Sequence, residues 1–285
     1  MRIINDGVPD VIYNALLKDD YDRGESDVSA TELIDSPKIW HLKRKHYDEL
    51  EILASSLIYA LLGQFVHVAL EKGCLPDDIV EERMFVKYNG WIISGKIDRF
   101  RTGSQTLQDF KVSSVWEAIH GLRDERHYQI NLYALLLRLV KGITPKDGEI
   151  VMIFRDWSKR KARIDKDYPS TQSGVIPVKL WTNAEQDQYL MERVDLFQKY
   201  DGEPCSMEDR WEDPVVYAVK KKGNKNAARG GKHATMEQAI GFGKTLKDSK
   251  GNSVPYEVDV RNSEPTRCID YCDVAKYCDQ YKGGL

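Results

Sequence analysis

Asp98, a gap of ten residues, and then Asp109-Phe110-Lys111 form the arrangement of acids and base with the most chemical content in the chain. On a β-strand the side-chain period is two, so Asp109 and Lys111 project from one face. Asp98 falls near the end of the preceding β-rich run. Antiparallel pairing across the short turn Thr102-Gly103-Ser104 brings the two aspartates together, where their charges repel. A divalent cation cancels that repulsion, and hard carboxylate oxygens are the donors that Mg²⁺ or Mn²⁺ prefers. Lys111 then stands beside the cation, placed to stabilise negative charge on a phosphodiester under attack or to position the attacking water. The plainer alternative is a surface ion pair on a hairpin. Leu107 and Val112 argue for a half-buried strand on which charges need partners, and Gly95 permits close backbone approach nearby.

Other residues join this set with less force. His67 follows Gly63 by four positions on an expected helix, so a small residue would let the helix approach the sheet and aim the imidazole at the carboxylates. A histidine in that place on its own is more often a core or boundary residue. Gln129 and Tyr133, four apart, share a helix face and offer an amide and a phenol to a DNA backbone or to the site's own groups, with core-edge packing as the alternative. Glu81 or Glu82 adds a carboxylate on the first strand, against an equally weighted role in solvent at a sheet edge.

The elements that must position these residues are legible from patterning. The first 28 residues are acidic with little periodicity and read as an arm. Ser29-Ala30-Thr31-Glu32 fits a capping box, and the short helix it opens should halt near Ser36-Pro37. From Glu49 to about Lys72 the positions Leu50, Leu53, Leu57, Ala60, Leu61, Phe65, Val68 and Ala69 give one long amphipathic helix. Three β-rich runs follow, Val80 to Tyr88, Trp91 to Arg101 and Thr106 to Val112, and Asn89-Gly90 between the first two is a strong hairpin signal. Ser114 to Val140 reads as helix, Glu149 to Asp156 and Val175 to Trp181 as strands, and Thr182-Asn183-Ala184-Glu185 as a second capping box opening a helix to about Tyr200. This order predicts an α/β fold with a mixed central sheet flanked by helices, occupying residues 29–200. Residues 201–285 differ in composition and read as a basic α+β accessory module, with strand Val215 to Lys221 paired to Asn226 to Ala228, a helix over Thr235 to Leu246, and a strand over Tyr256 to Arg261.

With these motifs in place, the chain resembles the PD-(D/E)XK nuclease superfamily, in its RecB-like branch. That branch includes the RecB and AddB nuclease domains, phage-type exonucleases and CRISPR adaptation nucleases. The resemblance covers Ser29 to Tyr200. Gly63-Gln64-Phe65-Val66-His67 looks like the helix with a metal-binding histidine, Gly95 and Asp98 match the second strand, and Asp109 and Lys111 match the third. Val112-Ser113-Ser114 is similar to the small polar exit from that strand, and Gln129 and Tyr133 match the helical Gln-x-x-x-Tyr signature. The resemblance implies a metal-dependent deoxyribonuclease in which His67, Asp98 and Asp109 hold Mg²⁺ or Mn²⁺ and Lys111 assists the attacking water. It further implies degradation from DNA ends in recombination, repair or phage replication. A structure-selective endonuclease and a non-catalytic DNA-binding scaffold that keeps the fold are the competing expectations, and the intact acid and lysine set argues against the scaffold.

Three of the five cysteines cluster late, Cys268, Cys272 and Cys278, at spacings that suit Zn²⁺ or an iron–sulfur cluster, each of which takes four ligands. Some RecB-like nucleases bind a 4Fe–4S cluster with three late cysteines and one ahead of the core. The corresponding stretch here, Leu33 to Pro37, has no cysteine, and the first late spacing is one residue longer. Cys205 is the better fourth candidate because it opens the module that the others close, whereas Cys74 follows the His67 helix.

The whole chain sets outer limits. Its 285 residues, 41% hydrophobic and 31% charged, can bury a sizeable core and do not have a disordered composition. The net charge of -3 argues against indiscriminate polyanion binding. Three basic stretches, Lys38 to His46, Arg155 to Lys166 and Lys220 to Lys232, become relevant to DNA only if they surround a site that needs a polyanion. The sequence shows no apolar run of 18 or more residues and no basic-then-apolar N-terminal signal, so a cytoplasmic protein with no membrane role is expected. DNA is the expected partner. A ring-shaped oligomer or a helicase would keep such an enzyme on its substrate, but no residue selects either.

Overall fold

A computed structural model describes residues 1–18 and 24–281. The chain divides into two compact units, Met1–Glu203 and Pro204–Leu285.

The N-terminal residues form elements rather than an arm. Strand β1 (Arg2–Ile4) and helix α1 (Asp10–Leu16) precede β2 (Val28–Ser29), while residues 19–23 of the expected arm lie outside the described residues. The Ser29 capping box forms as the sequence indicates, on a helix of only four residues, α2 (Ala30–Leu33). Pro37 then starts a helix instead of stopping one. It takes a first-turn position of α3 (Pro37–Lys45), where its missing N–H has no intrahelical partner to lose.

The single long helix expected from Glu49 is corrected to strand β3 (Glu51–Leu53), a 3₁₀ turn, and helix α4 (Ile58–Glu71). Ile52 pairs with Ile3 in a parallel ladder, an interaction that helical periodicity cannot reveal. The stretch Ala54–Glu71 is long and apolar enough to cross a membrane by length and composition alone. The expectation that no such stretch exists is corrected. Ser55, Ser56, Gln64 and His67 interrupt its apolar run, which hid it from a count of consecutive residues.

The three expected β runs become five strands. After β4 (Ile79–Val80), β5 (Arg83–Tyr88) and β6 (Trp91–Lys96) form the Asn89-Gly90 hairpin, whose central residues both have positive φ, 46° and 81°, the requirement of a tight two-residue turn. The second run breaks at Ile97–Asp98, and β7 (Arg99–Arg101) pairs antiparallel with β8 (Thr106–Ser113). The next expected helix is two, α5 (Val115–His120) and α6 (Asp124–Lys141), separated at Gly121. Strand β9 (Asp147–Phe154), helix α7 (Lys159–Ile164), strand β10 (Ser173–Val178) and helix α8 (Asn183–Gln198), with its Thr182 capping box, complete the unit.

The architecture is mixed α/β. A five-stranded sheet runs β10-β9-β8-β7-β4, with β8 and β9 parallel and the other pairs antiparallel, and a three-stranded sheet runs β2-β6-β5. Helix α6 supplies the centre of the core through Ile130 and the buried run Leu132–Leu137. Its approach to β6 depends on Gly95: a Cβ there would meet Leu136 Cδ1 at 2.4 Å and the Tyr133 ring at 3.2 Å. Burial of these apolar faces is the main favourable term in the fold.

In the second unit, strand Val216–Lys221 lies between Lys232–His233 and Tyr256–Arg261, and helix Met236–Thr245 packs on this sheet. The expected partner Asn226 to Ala228 is not a strand. The chain turns through it, with the Ala228 N–H donating to the Val219 carbonyl at 2.8 Å, and the ladder forms at Lys232 and His233.

Candidate metal centre

Strand β8 lies inside its sheet between β7 and β9, and helices α4 and α6 pack against it, so most of its side chains are buried. Asp109 is 1% exposed, and Asp98 is 5% exposed. The β7–β8 register pairs Arg99 with Gln108, which sets Asp98 opposite Asp109 one step beyond the ladder. The Phe110 N–H donates to Asp98 Oδ2 at 2.6 Å, fixing that carboxylate against β8. Lys111 Nζ lies 2.8 Å from Asp109 Oδ1 and 2.6 Å from Oδ2. The ammonium therefore sits across both oxygens of the buried carboxylate.

Helix α4 brings His67 to the same place. Its Nε2–H donates to the Phe110 carbonyl at 3.1 Å, which turns Nδ1 toward the acids, 3.4 Å from Asp98 Oδ1 and 3.4 Å from Glu81 Oε1. A backbone acceptor on one ring nitrogen that leaves the other free for a ligand is the usual support of a metal-binding histidine. Hydrogen bonds to Asp98 and Glu81 push the His67 pKa up to about 10, despite burial that opposes the charge. Burial pushes the Asp109 carboxyl up, Lys111 pulls it down, and the Asp98 charge adds to the rise. Burial works in the same direction at Glu81, but His67 and Lys96 outweigh it and hold that carboxyl below its ordinary value.

The donor chemistry fits a hard divalent cation. His67, Glu81 and Asp98 offer one nitrogen and two carboxylate oxygens within 4.8 Å of one another, the one such set among the described residues, while Asp109 is outside that set and pairs with Lys111. The sequence weighed Glu81 evenly as an edge-strand residue. Its inward position follows from a positive φ of 50° at the junction of β4 and β5, a conformation that no residue pattern announces. Glu82 turns the other way, to an ion pair with Lys141.

Gln129 and Tyr133 are both buried and bond to each other, Gln129 Nε2 donating to the Tyr133 hydroxyl at 2.9 Å. Tyr133 also packs over Gly95, so the pair supports the meeting of α6 and β6 rather than presenting groups at the surface. A second set that the sequence missed lies at the exit of β8. Glu117, buried on α5, accepts from the Ser113 hydroxyl and from Arg126 Nε at 3.1 Å, and Arg126 contributes to lowering the Asp109 carboxyl. The small polar exit Val112-Ser113-Ser114 was its one visible sign.

The basic stretches separate. In Lys38 to His46, Lys38 and Trp40 are buried and Arg44 lies 4.1 Å over the Trp40 ring, while Arg44 and Lys45 are exposed. Lys220 pairs with Asp259. Arg155 to Lys166 contains the exposed helix α7, and Arg155 lies 5.1 Å over the Tyr59 ring.

In the second unit, none of the cysteines forms a disulfide. Burial pushes the Cys268 thiol up, and Cys205 and Cys278 add to the shift. Burial also raises Cys272. Two hydrogen bonds between Gln280 and the Cys205 backbone, at 2.7 and 2.9 Å, clamp the two ends of the unit. Among the described residues no three of the sulfurs lie within 4.8 Å of one another.

No family model matches the chain. No curated protein matches it either. Among solved structures it is similar to the crystal structure of SSO0001, at 16% identity and a TM-score of 0.43, over 65% of this chain and 82% of that one. It is also similar to the crystal structure of a phage-related exonuclease from Haemophilus somnus 129PT, at 13% identity and a TM-score of 0.29, over 58% of this chain and 71% of that one. Neither likeness bears on the chemistry, which rests on the residues described above.

Proposed function

We propose that the protein is a divalent-metal-dependent DNA nuclease that hydrolyses phosphodiester bonds from DNA ends. The observation that carries this reading is the buried pairing of Asp98 with Asp109, set opposite each other in register, with Lys111 beside Asp109 and His67 bonded to Asp98. Two buried carboxylates in this relation need positive charge, and binding DNA alone has no use for them. Mg²⁺ or Mn²⁺ held by His67, Asp98 and Asp109 supplies charge for a phosphodiester oxygen and acidifies water beside it. The protein's own groups do the rest. The Phe110 N–H and carbonyl orient Asp98 and His67, and Asp109 holds the Lys111 ammonium where it would meet the negative charge that builds on the phosphoryl oxygens. Action at ends is supported by the resemblance of the ordered motifs from Gly63 to Tyr133 to RecB-like and phage-type exonucleases.

Incubation of purified protein and Mn²⁺ with end-labelled linear DNA and closed circular DNA tests this reading. Loss of the linear substrate alone is expected. Cutting of the circle makes the enzyme an endonuclease, and cleavage of neither, in single-stranded or double-stranded form, removes the enzymatic reading. A zinc or iron–sulfur site at Cys205, Cys268, Cys272 and Cys278 is a separate proposal. It requires their sulfurs to close together, and an absorption spectrum with metal analysis of fresh protein tests it: a brown protein holds a cluster, a colourless zinc-loaded one holds zinc, and a metal-free one holds neither.

A further inference from the structure

We infer that Glu81 is a direct ligand of the divalent cation, completing a position with His67 and Asp98, and that Lys96 is the counter-charge that holds Glu81 in place when the cation is away. The inference rests on the metal-dependent reading for the presence of the cation, and it adds a ligand which the Asp98, Asp109 and Lys111 motif does not contain.

The backbone dictates where Glu81 points. Strand β4 pairs with β7 as far as Val80 and Arg99, and β5 pairs with β6 from Arg83 and Lys96, leaving Glu81 and Glu82 opposite Ile97 and Asp98. Two backbone bonds hold this junction, Glu81 N–H to the Asp98 carbonyl and Ile97 N–H to the Glu82 carbonyl, each at 3.1 Å. With φ positive at Glu81, the two neighbouring acids diverge, Glu82 to Lys141 and Glu81 to the interior. The two Glu81 oxygens then have separate neighbours. Oε2 pairs with Lys96, and Oε1 faces His67 Nδ1 at 3.4 Å, the nitrogen that the Phe110 carbonyl leaves for a ligand.

Asp98 directs Oδ1 toward the same nitrogen at 3.4 Å, so one imidazole nitrogen and two carboxylate oxygens converge within 4.8 Å of one another. An ion pair between Glu81, His67 and Lys96 alone leaves Asp98 out of that convergence, and a hard cation accounts for it.

The test reads metal uptake by the full chain without DNA. Protein stripped with EDTA and dialysed is titrated with Mn²⁺ by calorimetry, comparing wild type with Glu81→Gln, which keeps size and removes charge. Mn²⁺ binding weaker by about tenfold or more is expected, since loss of supporting partners alone costs about 10–100-fold at metal sites. Equal affinity in the two proteins overturns the inference. If Glu81→Gln does not fold by circular dichroism, Lys96→Met carries the test. With the competing ammonium gone, Mn²⁺ should bind at least as tightly as in wild type, and weaker binding overturns the inference. The two readings fail separately: reduced Mn²⁺ uptake by Glu81→Gln with no DNA cleavage by wild type leaves this ligand in place and removes the nuclease. Cleavage with unchanged uptake does the reverse.

Discussion

At the scale of single residues, His67 concentrates the electrostatics of the site. Its raised pKa has a defined consequence for metal-free protein: an imidazolium stabilised by Asp98 and Glu81 favours the folded state fully below the ordinary value of 6.5, and that contribution is lost as pH rises toward about 10. Urea midpoints in EDTA for wild type and His67→Gln should therefore differ most near pH 6 and converge by pH 10, and a difference that grows with pH contradicts the assignment. How much of the site was legible from the sequence follows residue by residue. Asp98, Asp109 and Lys111 were legible because strand period and a short turn fix their placement, and the structure sets Asp98 opposite Asp109 with Lys111 beside it. Glu81 was not, because its direction depends on one left-handed backbone conformation, and Glu117 was not, because its partners Ser113 and Arg126 come from different elements.

At the scale of elements, the site depends on how closely α6 and β6 approach. Gly95→Ala puts a methyl group against Leu136 and Tyr133 and should cost about 1–3 kcal/mol by overpacking, read as a lowered urea midpoint; an unchanged midpoint shows that the packing there yields freely. Elements whose signals are local were legible: both capping boxes, the Asn89-Gly90 hairpin and the third-strand acid and lysine pattern. Those set by distant partners were not. Strand β3 exists because β1 pairs with it, and α3 begins at the proline that reads as a stop when helix ends are judged one at a time. The cysteine spacings were equally visible, yet spacing does not set the separation between sulfurs, and what ties Cys205 to the end of the unit is its backbone pairing with Gln280, which no spacing announces.

At the scale of the molecule, net charge says little about where a polyanion would lie. Each of the three basic stretches keeps exposed cations, Arg44 and Lys45 in the first, Lys222, Lys225, Arg229 and Lys232 in the third, and Lys159, Arg160 and Arg163 on α7 in the second. Replacing the three on α7 by Ala should weaken DNA binding across all sequences and reduce the slope of log affinity against log salt by about 2–3, roughly one for each phosphate no longer neutralised. An unchanged slope removes α7 from the DNA-binding surface. The central claim is that Lys111 serves chemistry beside a cation gripped by the paired aspartates, and single-turnover cleavage of end-labelled linear DNA in saturating Mn²⁺ tests it most directly. Lys111→Ala should bind DNA as wild type does and cleave it slower by about 10²–10³-fold, in the range seen when one charge-stabilising donor is removed from an active site. Cleavage at the wild-type rate by that variant would contradict the account.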